Sequence, residues 1–76
     1  MPKIGEILKE RRLEIKMSKK ELGVLTGTSI VSLSKYEKCE VLPTYERLNR
    51  LAYALHIDYD WLCDVMLKEK KERKKR

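Results

Sequence analysis

The chain has 76 residues, of which 42% are hydrophobic, and this is enough for one small domain with a compact core. No stretch is long and apolar enough to cross a membrane, and the first residues lack the apolar segment of a signal peptide. The formal net charge is +6, but residues 68–76 carry +5 of it and residues 1–67 carry only +1. We therefore expect a folded domain at 1–67 followed by a basic tail at 68–76, and the total charge alone does not predict a basic face.

The first predicted helix runs from Ile4 to Ile15 and has an apolar face with helical spacing. The members of this face are Ile4, Leu8 and Ile15, with Ile7 and Leu13 alongside. Arg12 lies at the edge of the face, and a charge at the margin of a core needs a partner. Glu37 lies one turn beyond Leu33 in a later helix, so we predict an Arg12–Glu37 ion pair that joins the two helices. The alternative is an arginine in solvent with no fixed partner.

The next predicted feature is a pair of short helices joined by a tight turn. Ser18 is placed to cap the second predicted helix, and Ser29 is placed to cap the third, which runs from Ile30 to about Lys38. Gly23 lies inside the second predicted helix, where glycine lowers stability by about 1 kcal/mol relative to alanine. We therefore expect another backbone to approach it closely. Two helices of this length, linked by a few residues that contain a second glycine, match the helix-turn-helix motif.

Two more helices complete the predicted fold. Residues 38–43 form a loop, and Thr44 caps a fourth helix from Tyr45 to Leu55. The core stripe of this helix is Leu48, Leu51, Ala52 and Leu55. Asp58 caps a fifth helix, which the charged tail either continues or leaves frayed.

The chain has few of the residue types that hold metals or perform catalysis. Cys39 and Cys63, with His56 between them in sequence, are too few ligands for a structural zinc site. We expect two buried or incidental thiols in a reducing cytoplasm, no metal and no cofactor. No Cys–His pair, Ser–His–Asp set or Gly-rich phosphate loop can be argued from the spacing, so we expect neither an enzyme nor a site for a small molecule.

Over about residues 4–67 the sequence resembles the Cro/C1-type (Xre-like) helix-turn-helix repressor domains. The residues that carry the resemblance are Arg12, Ser18-Lys-Lys-Glu-Leu22, Gly27-Thr-Ser29, Leu33, Glu37, Pro43-Thr44, Leu51-Ala52 and Asp60-Trp61-Leu62. The resemblance implies an all-α fold, a compact five-helix bundle of the lambda-repressor-like type. It also implies binding to operator DNA, usually as a dimer.

Three helix ends depart from the family pattern, in which glycine is common. They are Lys16, Cys39 and His56, at the ends of the first, third and fourth helices. Glycine accepts a left-handed backbone freely and other residues do not, so we expect the loop at Cys39 to differ in shape. Lys19 is a further departure, since the family commonly has a phosphate-binding glutamine there. Lysine keeps that contact as a point charge.

The resemblance places one face of the third helix, opposite Leu33 and Tyr36, in the major groove of DNA. The residues predicted to contact bases are Ser29, Ile30, Val31, Ser34 and Lys35. The apolar pair of Ile30 and Val31 suits thymine methyl groups, and the serines and the lysine suit hydrogen bonds to base edges or phosphates. The alternative is that Ile30 or Val31 packs inward or contacts a protein.

Phosphate contacts are expected from residues that flank the third helix. They are Ser18, Lys19 and Lys20 at the start of the second helix, and Lys38 after the third. Free backbone N–H groups at a helix start also favour an anion. Each phosphate neutralised steepens the dependence of binding on salt.

One domain of this size buries a modest surface on DNA, so we expect a homodimer on a roughly palindromic site. The predicted dimer face is Trp61, Leu62, Val65 and Met66, with the alternative that Trp61 closes the core. We therefore expect a bacterial or phage-encoded cytoplasmic, nucleoid-associated transcriptional regulator that binds double-stranded DNA, with repression as the expected direction. The alternative function is a protein-interaction or antitoxin-like module of the same fold, which the apolar Ile30–Val31 pair favours.

Overall fold

Five α-helices follow one another in the computed structural model, which describes residues 2–74. They are α1 (Ile4–Glu14), α2 (Lys19–Thr26), α3 (Ile30–Glu37), α4 (Tyr45–Leu55) and α5 (Tyr59–Lys74). No strand occurs among these residues, so the fold is the all-α five-helix bundle that the sequence predicts. None of the described helices is long and apolar enough to span a bilayer.

Helices α2 to α5 begin at residues whose side chains satisfy free backbone N–H groups. Ser18 and Glu21 form a capping box at the start of α2, in which each side chain accepts from the other residue's backbone N–H at 3.0 and 3.1 Å. Ser29 caps α3 and Thr44 caps α4 through their hydroxyl oxygens. At the start of α5, the Asp58 carboxylate accepts from the backbone N–H two residues on. The predicted caps are thus confirmed, and they explain why the helix starts were predictable.

Four residues that follow helices adopt a left-handed backbone. Gly27 ends α2 with a φ of 66°. The other three, with φ of 56°, 63° and 57°, are Lys16, Cys39 and His56. They are the positions where the family pattern favours glycine, and each costs roughly 1 kcal/mol as a non-glycine residue. The Cys39 backbone adopts the left-handed conformation that glycine favours, so the expected difference in the shape of this loop is wrong.

Leucine and isoleucine supply most of the core. The buried apolar side chains are Ile4, Leu8, Leu22, Leu33, Tyr36, Leu48, Leu51, Ala52, Leu55, Leu62, Val65 and Met66. This set contains the whole predicted stripe of α4. Leu13, predicted alongside the apolar face of α1, is instead 55% exposed. The reason is its position, since five residues beyond Leu8 is about 140° further round the helix.

The predicted dimer face on α5 is wrong for three of its four members. Leu62, Val65 and Met66 are buried in the core of the single chain, because they recur at the three- and four-residue spacing that turns one helix face inward. Trp61 is 46% exposed, so it does not close the core. It is the only member of that set that remains available to a partner.

Two glycines allow helices and turns to approach each other closely. A Cβ at Gly23 would lie 2.5 Å from the Thr28 carbonyl oxygen, which confirms the predicted close approach of another backbone. A Cβ at Gly5 would overlap the Tyr36 carbonyl oxygen, so α1 and α3 pack backbone against backbone there. Glycine spacing gave no sign of this second contact. The contact between Gly5 and the Tyr36 carbonyl oxygen sets how near α3 lies to α1.

The helical tail is part of the folded body. α5 continues to Lys74, and the buried Glu69 carboxylate accepts from the Ile4 backbone N–H at 2.8 Å. Arg73 donates to Glu69 and to the Cys39 carbonyl oxygen, each at 3.0 Å. The division at residue 67 therefore needs correction, because residues 68–74 contribute contacts that span the bundle. Glu69 supplies the cap that α1 lacks locally, since no side chain at its own start does so.

We predict that Glu69→Ala lowers the free energy of unfolding by about 2 kcal/mol, because it leaves the buried Ile4 N–H without its charged acceptor. Urea unfolding followed by circular dichroism measures the loss. The matched control is Glu72→Ala, since Glu72 is an exposed residue of the same helix segment. Equal losses in the two variants would mean that Glu69 has no special role.

Candidate nucleic-acid interface

α3 is attached to α1 by a buried ion pair. The Arg12 guanidinium donates to both carboxylate oxygens of Glu37, at 2.7 and 3.0 Å, and to the Met17 carbonyl oxygen at 2.9 Å. Arg12 is 7% exposed and Glu37 9% exposed. The predicted ion pair is therefore present, and the solvated arginine is not. The hydrogen bond to Glu37 raises the pKa of Arg12 above its ordinary value, so the guanidinium stays charged.

Two buried threonines fix the turn between α2 and α3. The Thr26 hydroxyl donates to the Leu22 carbonyl oxygen at 2.8 Å and also lies 3.0 Å from the Thr28 hydroxyl. The Thr28 backbone N–H donates to the Gly23 carbonyl oxygen at 3.0 Å. Sequence reasoning gave neither threonine a structural role. The available signal was two hydroxyl residues on either side of a glycine that breaks a helix.

One side of α3 faces outward, and we call it the α3 face. Its members are Ser29, Ile30, Val31, Ser34 and Lys35. Ile30 is 49% exposed and Val31 is 66% exposed, so neither packs into the core of the chain. Lys35 is also exposed, whereas Ser34 is half-buried. Opposite this face, Leu33 and Tyr36 are buried, which gives α3 the two-sided character that the sequence predicts.

The two serines of the α3 face have different freedom. Ser29 accepts from the Ser32 N–H at 3.1 Å and donates to the Ser32 hydroxyl at 3.0 Å, so its oxygen and proton are both used locally. Ser34 accepts from the Lys19 ammonium at 3.2 Å. Lys19 is half-buried. The structure thus brings the first residue of α2 onto the α3 face.

The other residues predicted to contact phosphate lie at the ends of α2 and α3. Ser18 and Lys20, at the start of α2, are both exposed, and Ser18 uses its hydroxyl oxygen as the helix cap. Lys38 is exposed directly after α3. Together with Lys35 they put cations at both ends and on the outer side of the helix-turn-helix.

The described residues hold no cluster suited to a metal ion. Among residues 2–74, no group of three or more His, Cys, Asp or Glu side chains lies close enough to hold one. Cys39 and Cys63 are half-buried free thiols. The chemistry of this surface is therefore that of cations, hydroxyls and apolar groups.

A family model described as helix-turn-helix matches residues 8–62. This range begins within α1, contains the whole of α2, α3 and α4, and ends in α5. The chain belongs to the Cro/C1-type helix-turn-helix family. The buried Arg12–Glu37 pair, the capping box and the turn at Gly27 all lie inside the matched range.

Two relatives of this family are named as repressors. The cryptic phage CTXphi transcriptional repressor RstR, from Vibrio cholerae serotype O1, is 41% identical over 61 residues, which is 80% of this chain and 54% of RstR. The repressor protein C2 of Salmonella phage P22 is 36% identical over 59 residues, which is 78% of this chain and 27% of C2. The chain therefore spans about half the length of RstR and about a quarter of C2.

Two solved structures share the fold. The crystal structure of the P22 c2 repressor protein in complex with a synthetic operator has a TM-score of 0.76 and 34% identity, and the match covers 82% of this chain and 94% of that one. The solution structure of the DNA-binding domain of the same repressor also has a TM-score of 0.76 and 34% identity, with 82% of each chain covered. The fold is therefore similar to that of the DNA-binding domain of the P22 c2 repressor.

We predict that Glu37→Ala lowers the free energy of unfolding by about 3 kcal/mol, because it leaves the Arg12 charge buried without a partner. Chemical denaturation measures the change. The control is Glu46→Ala, which removes an exposed Glu46–Arg50 pair at 2.9 Å and should cost less than about 1 kcal/mol. A Glu37→Ala variant as stable as the control would contradict the role given to the buried pair.

Proposed function

We propose that this chain binds double-stranded DNA sequence-specifically and represses transcription, with α3 in the major groove. The observation that carries the proposal is the α3 face, whose outward Ile30, Val31 and Lys35 lie on a helix fixed by a buried ion pair. A helix of this kind is the element that helix-turn-helix proteins insert into the groove. The family membership and the two phage repressors among its relatives support the same conclusion. Further support is the fold shared with a repressor solved on operator DNA.

Base recognition follows from the side chains of the α3 face. Ile30 and Val31 offer methyl groups to the thymine C5-methyl, which lies in the major groove. Lys35 is long enough to donate to a guanine edge or to a phosphate. Ser29 is less available, since its hydroxyl is used within α3. We therefore expect A·T base pairs opposite Ile30 and Val31.

Phosphate binding is assigned to the flanks of α3. Lys20 and the backbone N–H groups near Ser18 are expected to hold one phosphate at the start of α2. Lys38 is expected to hold another beyond the end of α3. These contacts set the position of α3 on the duplex, while the base contacts set its sequence preference.

We predict that the double variant Ile30→Glu/Lys35→Glu loses at least about 100-fold in affinity for a selected duplex, because it places two carboxylates against the groove. Fluorescence anisotropy on a duplex from a random-sequence selection measures the loss. The matched control is Leu13→Glu/Lys9→Glu, which makes the same charge change at exposed positions of α1. Its affinity should fall by no more than about threefold.

A second function is favoured by one observation, the exposure of two β-branched apolar residues next to each other at Ile30 and Val31. Apolar side chains of this kind also suit a protein partner, as in an antitoxin-like module. Wild-type protein that binds no duplex in the selection would reject DNA binding and favour this second reading.

The proposed DNA-bound form is a dimer, with the two α3 helices about 34 Å apart on a palindromic site. Trp61 is the residue of the predicted face that is still exposed, so we assign it to the contact between the two copies.

We predict that Trp61, the single tryptophan of the chain, shifts its emission to shorter wavelength on a duplex with two half-sites. Burial against the second copy removes water from the indole, and a half-site duplex serves as the control because it binds one copy. The same spectrum on both duplexes would place the dimer contact elsewhere. Sedimentation of each complex gives its stoichiometry.

A further inference from the structure

Lys19 and Lys20 are adjacent lysines at the start of α2, and they have different surroundings. Lys20 is exposed, whereas Lys19 is half-buried and its ammonium donates to the Ser34 hydroxyl at 3.2 Å. Ser34 lies fifteen residues further along the chain, in the middle of α3. The Lys19 side chain therefore crosses from α2 to the α3 face.

The direction that Lys19 takes has an electrostatic reason. The amino end of a helix carries a partial positive charge, so a cation close to it is disfavoured. The Lys19 ammonium donates instead to a hydroxyl oxygen on the neighbouring helix. The start of α2 is then left to its capping box and to any phosphate that binds there.

The bond between Lys19 and Ser34 decides which hydrogen-bonding groups the pair can offer. A lysine ammonium has three N–H donors and no acceptor, so two donors remain after the bond to Ser34. The Ser34 oxygen accepts from Lys19, which leaves its own proton to be donated elsewhere. The pair thus presents mainly donors to whatever approaches the α3 face.

A set of donors matches one base edge in the major groove better than the others. Guanine presents two acceptors there, N7 and O6, whereas adenine and cytosine each present an amino donor. We propose that Lys19 and Ser34 together bind a guanine, which makes Lys19 a residue that determines sequence specificity. This inference rests on the proposed DNA-binding function and changes the role of Lys19 from the phosphate contact predicted by the sequence.

The position of the pair on α3 refines the proposal. Ser34 lies one helical turn from Ile30, and Val31 lies one turn from Lys35. The Lys19–Ser34 pair therefore adjoins the apolar residues that suit thymine. The expected half-site has a guanine next to the A·T pairs that Ile30 and Val31 contact.

The test uses the full chain and the duplex from the random-sequence selection. Each guanine is replaced in turn by 7-deazaguanine, which removes the N7 acceptor, and methylphosphonates replace the neighbouring phosphates in separate duplexes. For wild-type protein we expect one 7-deazaguanine to weaken binding by about tenfold. For Lys19→Ala the same replacement should weaken binding by less than about twofold, because the donor that uses N7 is already absent.

Three variants serve as controls for the chemistry. Lys20→Ala should keep the tenfold effect of 7-deazaguanine, since Lys20 is exposed and the hydrogen bond to Ser34 is made by Lys19. Lys19→Arg keeps donors at that position and should retain most of the effect. Ser34→Ala removes the hydroxyl that orients Lys19, and should reduce the effect. Thermal unfolding of each variant verifies that it is folded.

Two results would overturn the inference while leaving DNA binding intact. One is a Lys19→Ala variant that keeps the full effect of 7-deazaguanine and loses the effect of a methylphosphonate, which would make Lys19 a phosphate contact. The other is a selected half-site in which no replacement of a guanine by 7-deazaguanine weakens the binding of wild-type protein. Wild-type protein that selects no duplex would instead reject the proposed function, and this inference with it.

Discussion

The buried ion pair between Arg12 and Glu37 is the interaction on which the position of α3 depends. It joins α1 to the last turn of α3, and a third hydrogen bond from the same guanidinium holds the chain just before α2. A buried ion pair gives up most of its attraction in desolvation, so its contribution lies in geometry more than in net stability. A planar guanidinium and a carboxylate meet in one favoured arrangement. The outer side of α3 is therefore presented in a defined orientation.

Backbone packing reinforces that orientation where side chains would be too bulky. Gly5 lets α1 approach the end of α3, and Gly23 lets α2 approach the turn that leads into α3. The buried hydroxyls of Thr26 and Thr28 then satisfy each other inside this turn. At each glycine, two backbones lie closer than a side chain would allow. Together with the ion pair, these close approaches fix the position of α3 against α1 and α2.

Local signals made much of this fold predictable from the sequence. The caps of α2, α3 and α4 depend on a hydroxyl and an N–H three residues apart, and the apolar stripe of α4 depends on helical spacing, so both could be read directly. The Arg12–Glu37 pair was predictable because a charge on the edge of an apolar face needs a partner. The role of Glu69 was hidden, since a carboxylate in a run of charges looks solvated until the fold brings Ile4 beside it. Lys19 was hidden for a similar reason, as sequence spacing does not tell which way a long side chain turns.

Charge in this chain has two separate structural uses. The last nine residues hold most of the net positive charge, yet the structure uses Glu69 and Arg73 from that region for contacts within the bundle. The lysines around α3 belong to residues 1–67, which together carry a net charge of only +1. The proposed DNA binding therefore depends on where a few cations are held and much less on the total charge.

The hydrogen bond between Glu69 and Ile4 connects residues 65 positions apart in the chain. Such a contact closes a loop that contains nearly the whole domain, so its entropic cost is recovered only when the intervening helices are in place. Fraying of the last turns of α5 then also uncovers the first turn of α1. The two ends of the bundle should open together, and exchange of the Ile4 amide proton with solvent would report that shared opening.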